Sequence, residues 1–206
     1  HTELTKLLIS PHPDYVNMVF EYGIAPWISK TFGQIQAGHA RMSENLPSGV
    51  SMRWAAFLRY ETEAAAQAVL KELKMDNDTI DRVKLLVRWW QRPIGRDEKA
   101  IRKTMSLMPE DAYRDLLALK RCVDEIPETP KDLDEIFVLS RGIGQRGDCI
   151  RLKDLAVTGN DLINQGMKPG KAMGRALNFL LDRVIEDPEK NERETLLAEL
   201  RAEGYL

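Results

Sequence analysis

Between Leu152 and Leu197 the chain carries two helix signals joined by a turn that few residue types can make. Thr158-Gly159-Asn160-Asp161 offers a hydroxyl to the backbone N–H of Asp161 and an acid at the third helical position, the pattern of a capping box. A short helix is expected to start there. Gly166 stands where the chain must leave that helix in a left-handed conformation, which costs glycine little. Pro169-Gly170 then opens a longer helix, with Met173, Ala176, Leu177, Leu180, Leu181 and Val184 recurring at helical spacing along one face. The turn Gly166-Met167-Lys168-Pro169-Gly170-Lys171 ends at a helix N-terminus and carries two lysines. Free backbone N–H groups and the positive end of the helix dipole make such a place hospitable to a phosphate. Lys153, Lys168, Gly170, Lys171 and Arg175 are therefore candidate phosphate contacts. In the plainer reading this is a solvated turn, where Gly166, Pro169 and Gly170 serve the backbone alone and Asp161 is only a cap.

The rest of the chain also reads helical. Segments 4–9, 14–22, 26–35, 40–46, 50–60, 63–75, 77–90, 98–108 and 109–123 are mostly separated by Pro or Gly punctuation, with Asp76 as the expected cap of 77–90. Val50 to Tyr60 is apolar on most sides and predicts a buried core helix. Thr129-Pro130-x-Asp132 is a strong start signal for a helix expected to reach Ser140, ahead of a loop holding Gly142, Gly144 and Gly147. No alternating strand pattern of useful length occurs; only Cys149 to Leu152 reads as extended. The fold class is therefore all-α: a right-angled array of helices with a body at 1–148 and a small helical tail at 149–206.

The tail run resembles the C-terminal tail of the bacterial class II tRNA nucleotidyltransferases, the CCA-adding enzyme and poly(A) polymerase family. The residues that carry the resemblance are Gly159, Asp161, Leu162, Ile163, Gly166, Pro169, Gly170 and Gly174, with Asn191 to Leu197 similar to the closing helix. More weakly, Glu3 to Leu8 with Pro11 is similar to the entry from neck to body, and Met52 to Leu58 to a body helix. The resemblance implies a poly(A) polymerase C-terminal-like array that binds tRNA and positions it. The polymerase activity, with its paired carboxylates and Mg²⁺, would belong to a head domain. This chain lacks the glycine-serine turn and Asp-x-Asp strand that mark such a head. The neck residues that choose CTP or ATP are likewise not recognisable. The chain is accordingly expected to be a piece of a longer protein, with no catalytic residue, cofactor or metal of its own. Its partners would be tRNA and the head and neck of the parent chain.

Two further readings stand beside this. One is a protein-interaction or scaffold module of the same fold. The other is a degenerate HD-type phosphohydrolase, because the related body helix often ends in a His-Asp pair that holds a metal. Here Arg59-Tyr60 takes the pair's place and His39 alone stands near the position of a first histidine. One histidine beside an arginine does not make a cation site.

Charge is uneven although its total nearly cancels, with 30 basic and 32 acidic residues. From Arg82 to Lys103 eight basic residues face only Asp97 and Glu98, while Glu110 to Glu135 holds nine acids against four bases. Arg88, Arg92 and Arg96, interleaved with Trp89 and Trp90, are candidate contacts to a sugar-phosphate backbone. The competing reading is a solvated helix whose tryptophans pack in the core, and for the tryptophans it is preferred. Met18, Met42, Met105 and Met108 are read as core filler. Two cysteines without metal spacing point to a reducing compartment. The absence of a long apolar run excludes a membrane span and, with tRNA as partner, points to the cytoplasm.

Overall fold

A computed structural model describes residues 2–35 and 46–206, so His39, Met42 and all but the last residue of the helix expected over 40–46 lie outside the described residues. Among these residues there is no strand. The helices are α1 (Thr2–Ile9), α2 (Val16–Glu21), α3 (Ala25–Ile28), α4 (Val50–Leu58), α5 (Glu63–Glu72), α6 (Asn77–Trp89), α7 (Glu98–Ser106), α8 (Glu110–Cys122), α9 (Pro130–Arg146), α10 (Gly159–Asn164), α11 (Lys171–Glu186) and α12 (Arg193–Ala202). The all-α expectation holds. None of these helices is long and apolar enough to cross a membrane.

Starts are set by side-chain caps. Thr62, Asp76 and Asp97 accept the N–H of Ala65, Thr79 and Ala100, and so begin α5, α6 and α7. Thr129 and Asp132 exchange reciprocal bonds of 2.8 and 3.2 Å at the head of α9, as the start signal there requires. Two stops differ from the sequence reading. The helix expected over 26–35 breaks at Ser29, whose backbone is extended and whose hydroxyl accepts the N–H of Phe32 to start a new short turn. A serine that bonds nearby backbone competes with the helix ladder. Conversely, α9 does not stop at Ser140 but runs through Gly142 and Gly144 to Arg146, leaving the helix at Gly147. Buried Ile136 and Ile143 continue its apolar face, and tertiary burial outweighs the roughly 1 kcal/mol that each glycine costs a helix.

The chain divides into two compact units, one formed by residues up to Pro93 with Glu110–Leu133, the other by Ile94–Pro109 with Asp134–Leu206. In the first, α4 is buried on nearly every side and packs against α1, α6 and α8. Trp54 has no exposed surface and its indole N–H donates to Thr5 Oγ1 at 3.1 Å. Phe20, Phe32 and Phe57 cluster with ring centroids 5.1 to 6.1 Å apart. Trp90 is buried as expected, and Trp89 is half-buried. Met105 and Met108 are core residues, but Met18 is exposed. It lies in a stretch with Tyr15, Tyr22, Ile24 and Trp27, and Trp27 is 90% exposed.

In the second unit, α11 is central and packs against α7, α10 and α12. Its stripe buries Ala176, Leu180 and Val184 against Cys149, Leu155, Val157, Leu162, Leu196, Leu197 and Leu200. A leucine fully removed from water contributes about 2 kcal/mol, so these residues hold the tail helices together. Burial also pushes the Cys149 thiol up to about 11.

Candidate functional site

The turn between α10 and α11 is built from both sides. At the head of α10, Thr158 and Asp161 form the expected capping box, with the Thr158 N–H donating to Asp161 Oδ2 at 2.9 Å. The Thr158 hydroxyl and backbone N–H, then Arg193, hold the Asp161 carboxyl down at about 2. At its end, the Met167 N–H donates to the Leu162 carbonyl at 2.9 Å while Gly166 takes φ +92°. Gly170, at φ +149°, precedes α11 and supplies no side-chain cap. The first backbone bond of α11 runs from the Gly174 N–H to the Gly170 carbonyl at 3.3 Å. The N–H groups of Lys171, Ala172 and Met173 therefore precede any helical acceptor and sit at the positive end of a 16-residue helix. Gly159 allows α10 to approach α11, since a Cβ there would meet Met173 Sδ at 3.3 Å.

The candidate cations fall into two groups. Lys153, Lys168, Lys171 and Arg175 are exposed, and their side chains have no hydrogen-bond or ion-pair partner among the described residues. All four belong to the second unit. The strip from Arg82 to Lys103 is different, because most of its charge is already matched. Arg82 binds Asp111 and Asp115, Arg88 binds Glu63 through Nε at 2.7 Å, Lys99 binds Glu186 and Lys103 binds Asp182. Arg92 lies over the Trp89 ring at 5.2 Å, and Arg96 is exposed. Arg88 and Arg92 belong to the first unit and Arg96 to the second. Any phosphate on the paired arginines would compete with a carboxylate. Arg102 cannot serve at all: its side chain is 5% exposed, pairs with equally hidden Asp148 at 3.2 Å, and donates to the Ile185 carbonyl at 2.9 Å near the end of α11.

Several organising side chains carry no local signal in the sequence. Asn191 accepts the Ala156 N–H at 2.8 Å and donates to the Asp154 carbonyl at 3.0 Å. Arg193 reaches Asp161 at 3.2 Å and Arg201 reaches Gln165 Oε1 at 2.8 Å. Arg151 donates to the carbonyls of Met105 and Met108, closing the end of α7. These partners lie 32 to 46 residues away along the chain, beyond the reach of spacing arguments.

At the end of α4, Arg59 is buried. Its guanidinium donates to the Ala56 carbonyl at 2.6 Å and lies 4.4 Å from the Tyr60 ring centroid, with Trp90 at 6.0 Å. The guanidinium is thus a cation fixed at the end of α4 by a carbonyl and two rings. Among the described residues no group of three or more His, Cys, Asp or Glu side chains could hold a metal ion.

Comparison with known proteins agrees with the resemblance carried by the tail. Segments of the chain are 51% identical over 45 residues to the CCA-adding enzyme of Lacticaseibacillus paracasei, and 50% identical over 53 residues to that of Limosilactobacillus fermentum. These stretches take in 22% and 26% of this chain but only 11% and 12% of those relatives. No solved structure matches. Residues 48–200, most of the chain and the stretch from just before α4 into α12, match the tRNA nucleotidyltransferase domain 2 family, and the chain belongs to that family.

Proposed function

We propose that this chain is the tRNA-binding and positioning region of a nucleotidyltransferase of the CCA-adding or poly(A) polymerase type, working in the cytoplasm with a catalytic head. The tail, from residue 149, would hold the sugar-phosphate backbone. The observation that carries this reading is the contrast in pairing: Lys153, Lys168, Lys171 and Arg175 are exposed and unmatched, whereas Arg82, Arg88, Lys99, Arg102 and Lys103 are not. Lys168 and Lys171 flank a helix N-terminus with free N–H groups, a setting complementary to phosphate. Recognition of this kind reads shape and backbone with little base readout.

The test is a titration of folded tRNA at several salt concentrations. Each phosphate contact contributes a slope of roughly 0.7 to 0.9 in log K against log salt. Lys168→Ala with Lys171→Ala should lower affinity and flatten that slope together, for all tRNA species alike. A double variant that keeps the wild-type slope removes the turn from the interface. A second reading, a protein-docking module, is favoured by the exposed Tyr22, Ile24 and Trp27 surface, and gains if the wild type binds no tRNA at low salt.

A further inference from the structure

Beyond its backbone bonds and the packing of Met167, the candidate RNA turn has few anchors of its own. Residues 165–170 are exposed or half-exposed, α10 is a helix of six residues, and α11 begins without a side-chain cap. Short helices of this kind are marginal alone. Polar side chains from the closing segment nevertheless grip this part of the tail at successive points. Arg193 holds Asp161 at the first turn of α10, through Nη2 at 3.2 Å and Nε at 3.3 Å. Arg201 holds Gln165, the last residue before Gly166, at 2.8 Å. Asn191 holds both backbone faces of the 154–156 loop, next to Lys153. The Asn191 grip lies beside Lys153, the Arg193 and Arg201 grips lie on α10 and at its end, leading into the turn that carries Lys168 and Lys171, and none of the three side chains is itself one of those cations.

We infer that Asn191, Arg193 and Arg201 are positioning residues, which fix the α10–turn–α11 loop and the Lys153 loop in the geometry that receives phosphate. This inference rests on the proposed RNA reading of the turn. Its physical content is preorganisation. A loop that visits its binding geometry only part of the time binds with an affinity reduced by that fraction, although every contact in the complex survives. Loss of a positioning residue therefore lowers affinity without lowering the number of phosphates neutralised. Loss of a contacting lysine lowers both.

The experiment uses the 206-residue chain and a folded tRNA transcript. Arg193→Ala with Arg201→Ala should weaken binding by about threefold to tenfold while the salt slope stays at its wild-type value, as a fall in the competent fraction requires. Arg193→Lys, which keeps a donor for Asp161, should recover part of the loss. In the free protein, amide exchange over 165–171 should quicken in the double alanine variant, with the melting temperature nearly unchanged because exposed pairs contribute little. A slope that falls with the affinity would make the arginines direct phosphate contacts and overturn the inference. So would unchanged affinity in a protein whose Lys168→Ala, Lys171→Ala variant does bind more weakly. If the lysine variant binds like wild type, the RNA reading of the turn fails by itself; the exchange measurement then decides the clamp alone, and unchanged exchange over 165–171 overturns it too.

Discussion

Two glycines eight residues apart should respond to the same substitution with opposite sign. At Gly166 the backbone has φ +92° and a Cβ would meet no atom within 4 Å. Alanine there has space but an unfavourable backbone, at a cost of about 1–2 kcal/mol for an L-residue held at positive φ. At Gly174 a Cβ would again meet nothing within 4 Å, but the residue lies inside α11, at its fourth position, with helical φ. Alanine is favoured over glycine in a helix interior by about 0.8–1.0 kcal/mol. Gly166→Ala should therefore lower the melting temperature and Gly174→Ala should raise it, by about 2–4 °C per kcal/mol for a chain of this size. Thermal unfolding followed by circular dichroism reads both, with near-wild-type helical signal at 20 °C as the control that neither fold is lost. A stabilising Gly166→Ala, or a destabilising Gly174→Ala, would contradict a backbone origin for either effect, since a Cβ meets no atom within 4 Å at either site. The pair also bears on function. The fold does not require glycine at position 174, so a loss of tRNA affinity in the stabilised Gly174→Ala variant would mean that the bound backbone approaches α11 closely there.

Two more predictions concern the second unit. The Asp161 carboxyl is lowered to about 2, first by the Thr158 hydroxyl and backbone N–H and then by Arg193. A depressed carboxylate contributes stability that is complete above the unfolded value near 4 and is lost as pH falls through about 2. Asp161→Asn should therefore flatten the acid arm of the stability curve between those values, and an unaltered arm would remove the capping carboxylate as its cause. Asp148→Ala leaves Arg102 buried with only part of its compensation, the Glu98 carboxylate and the Ile185 and Glu186 carbonyls. It should cost about 3 kcal/mol, the low end for breaking a buried pair, and a loss under 1 kcal/mol in urea unfolding would contradict the burial of that charge.

The parts of this molecule legible in its sequence are those governed by neighbours. Thr158 and Asp161, Thr129 and Asp132, and the apolar stripe of α11 each need only three to eight residues of context, and each is seen as expected. The continuation of α9 past Gly142 was not legible, because burial of Ile143 is a tertiary fact and glycine is a local one. The pairing of the charge-rich strip was not legible for the same reason. Arg102 and Arg88 look like free cations until Asp148 and Glu63, 46 and 25 residues away, are brought against them. Lys168, Lys171 and Arg175 remain unpaired because their surroundings are a turn and a helix end, where few side chains can reach them.

The burial of Cys149 gives the tail core an internal clock. Its thiol is 4% exposed among Leu155, Leu162 and Leu180 and ionises only near 11, so at neutral pH an alkylating reagent meets neither a surface nor a thiolate. Modification must wait for the helices of the second unit to part. The rate at which mass is added at Cys149 then measures how often that core opens, residue by residue distinct from the half-buried Cys122 in the other unit. Slowing of that rate by tRNA would register, inside the hydrophobic core, an event taking place on the charged surface above it.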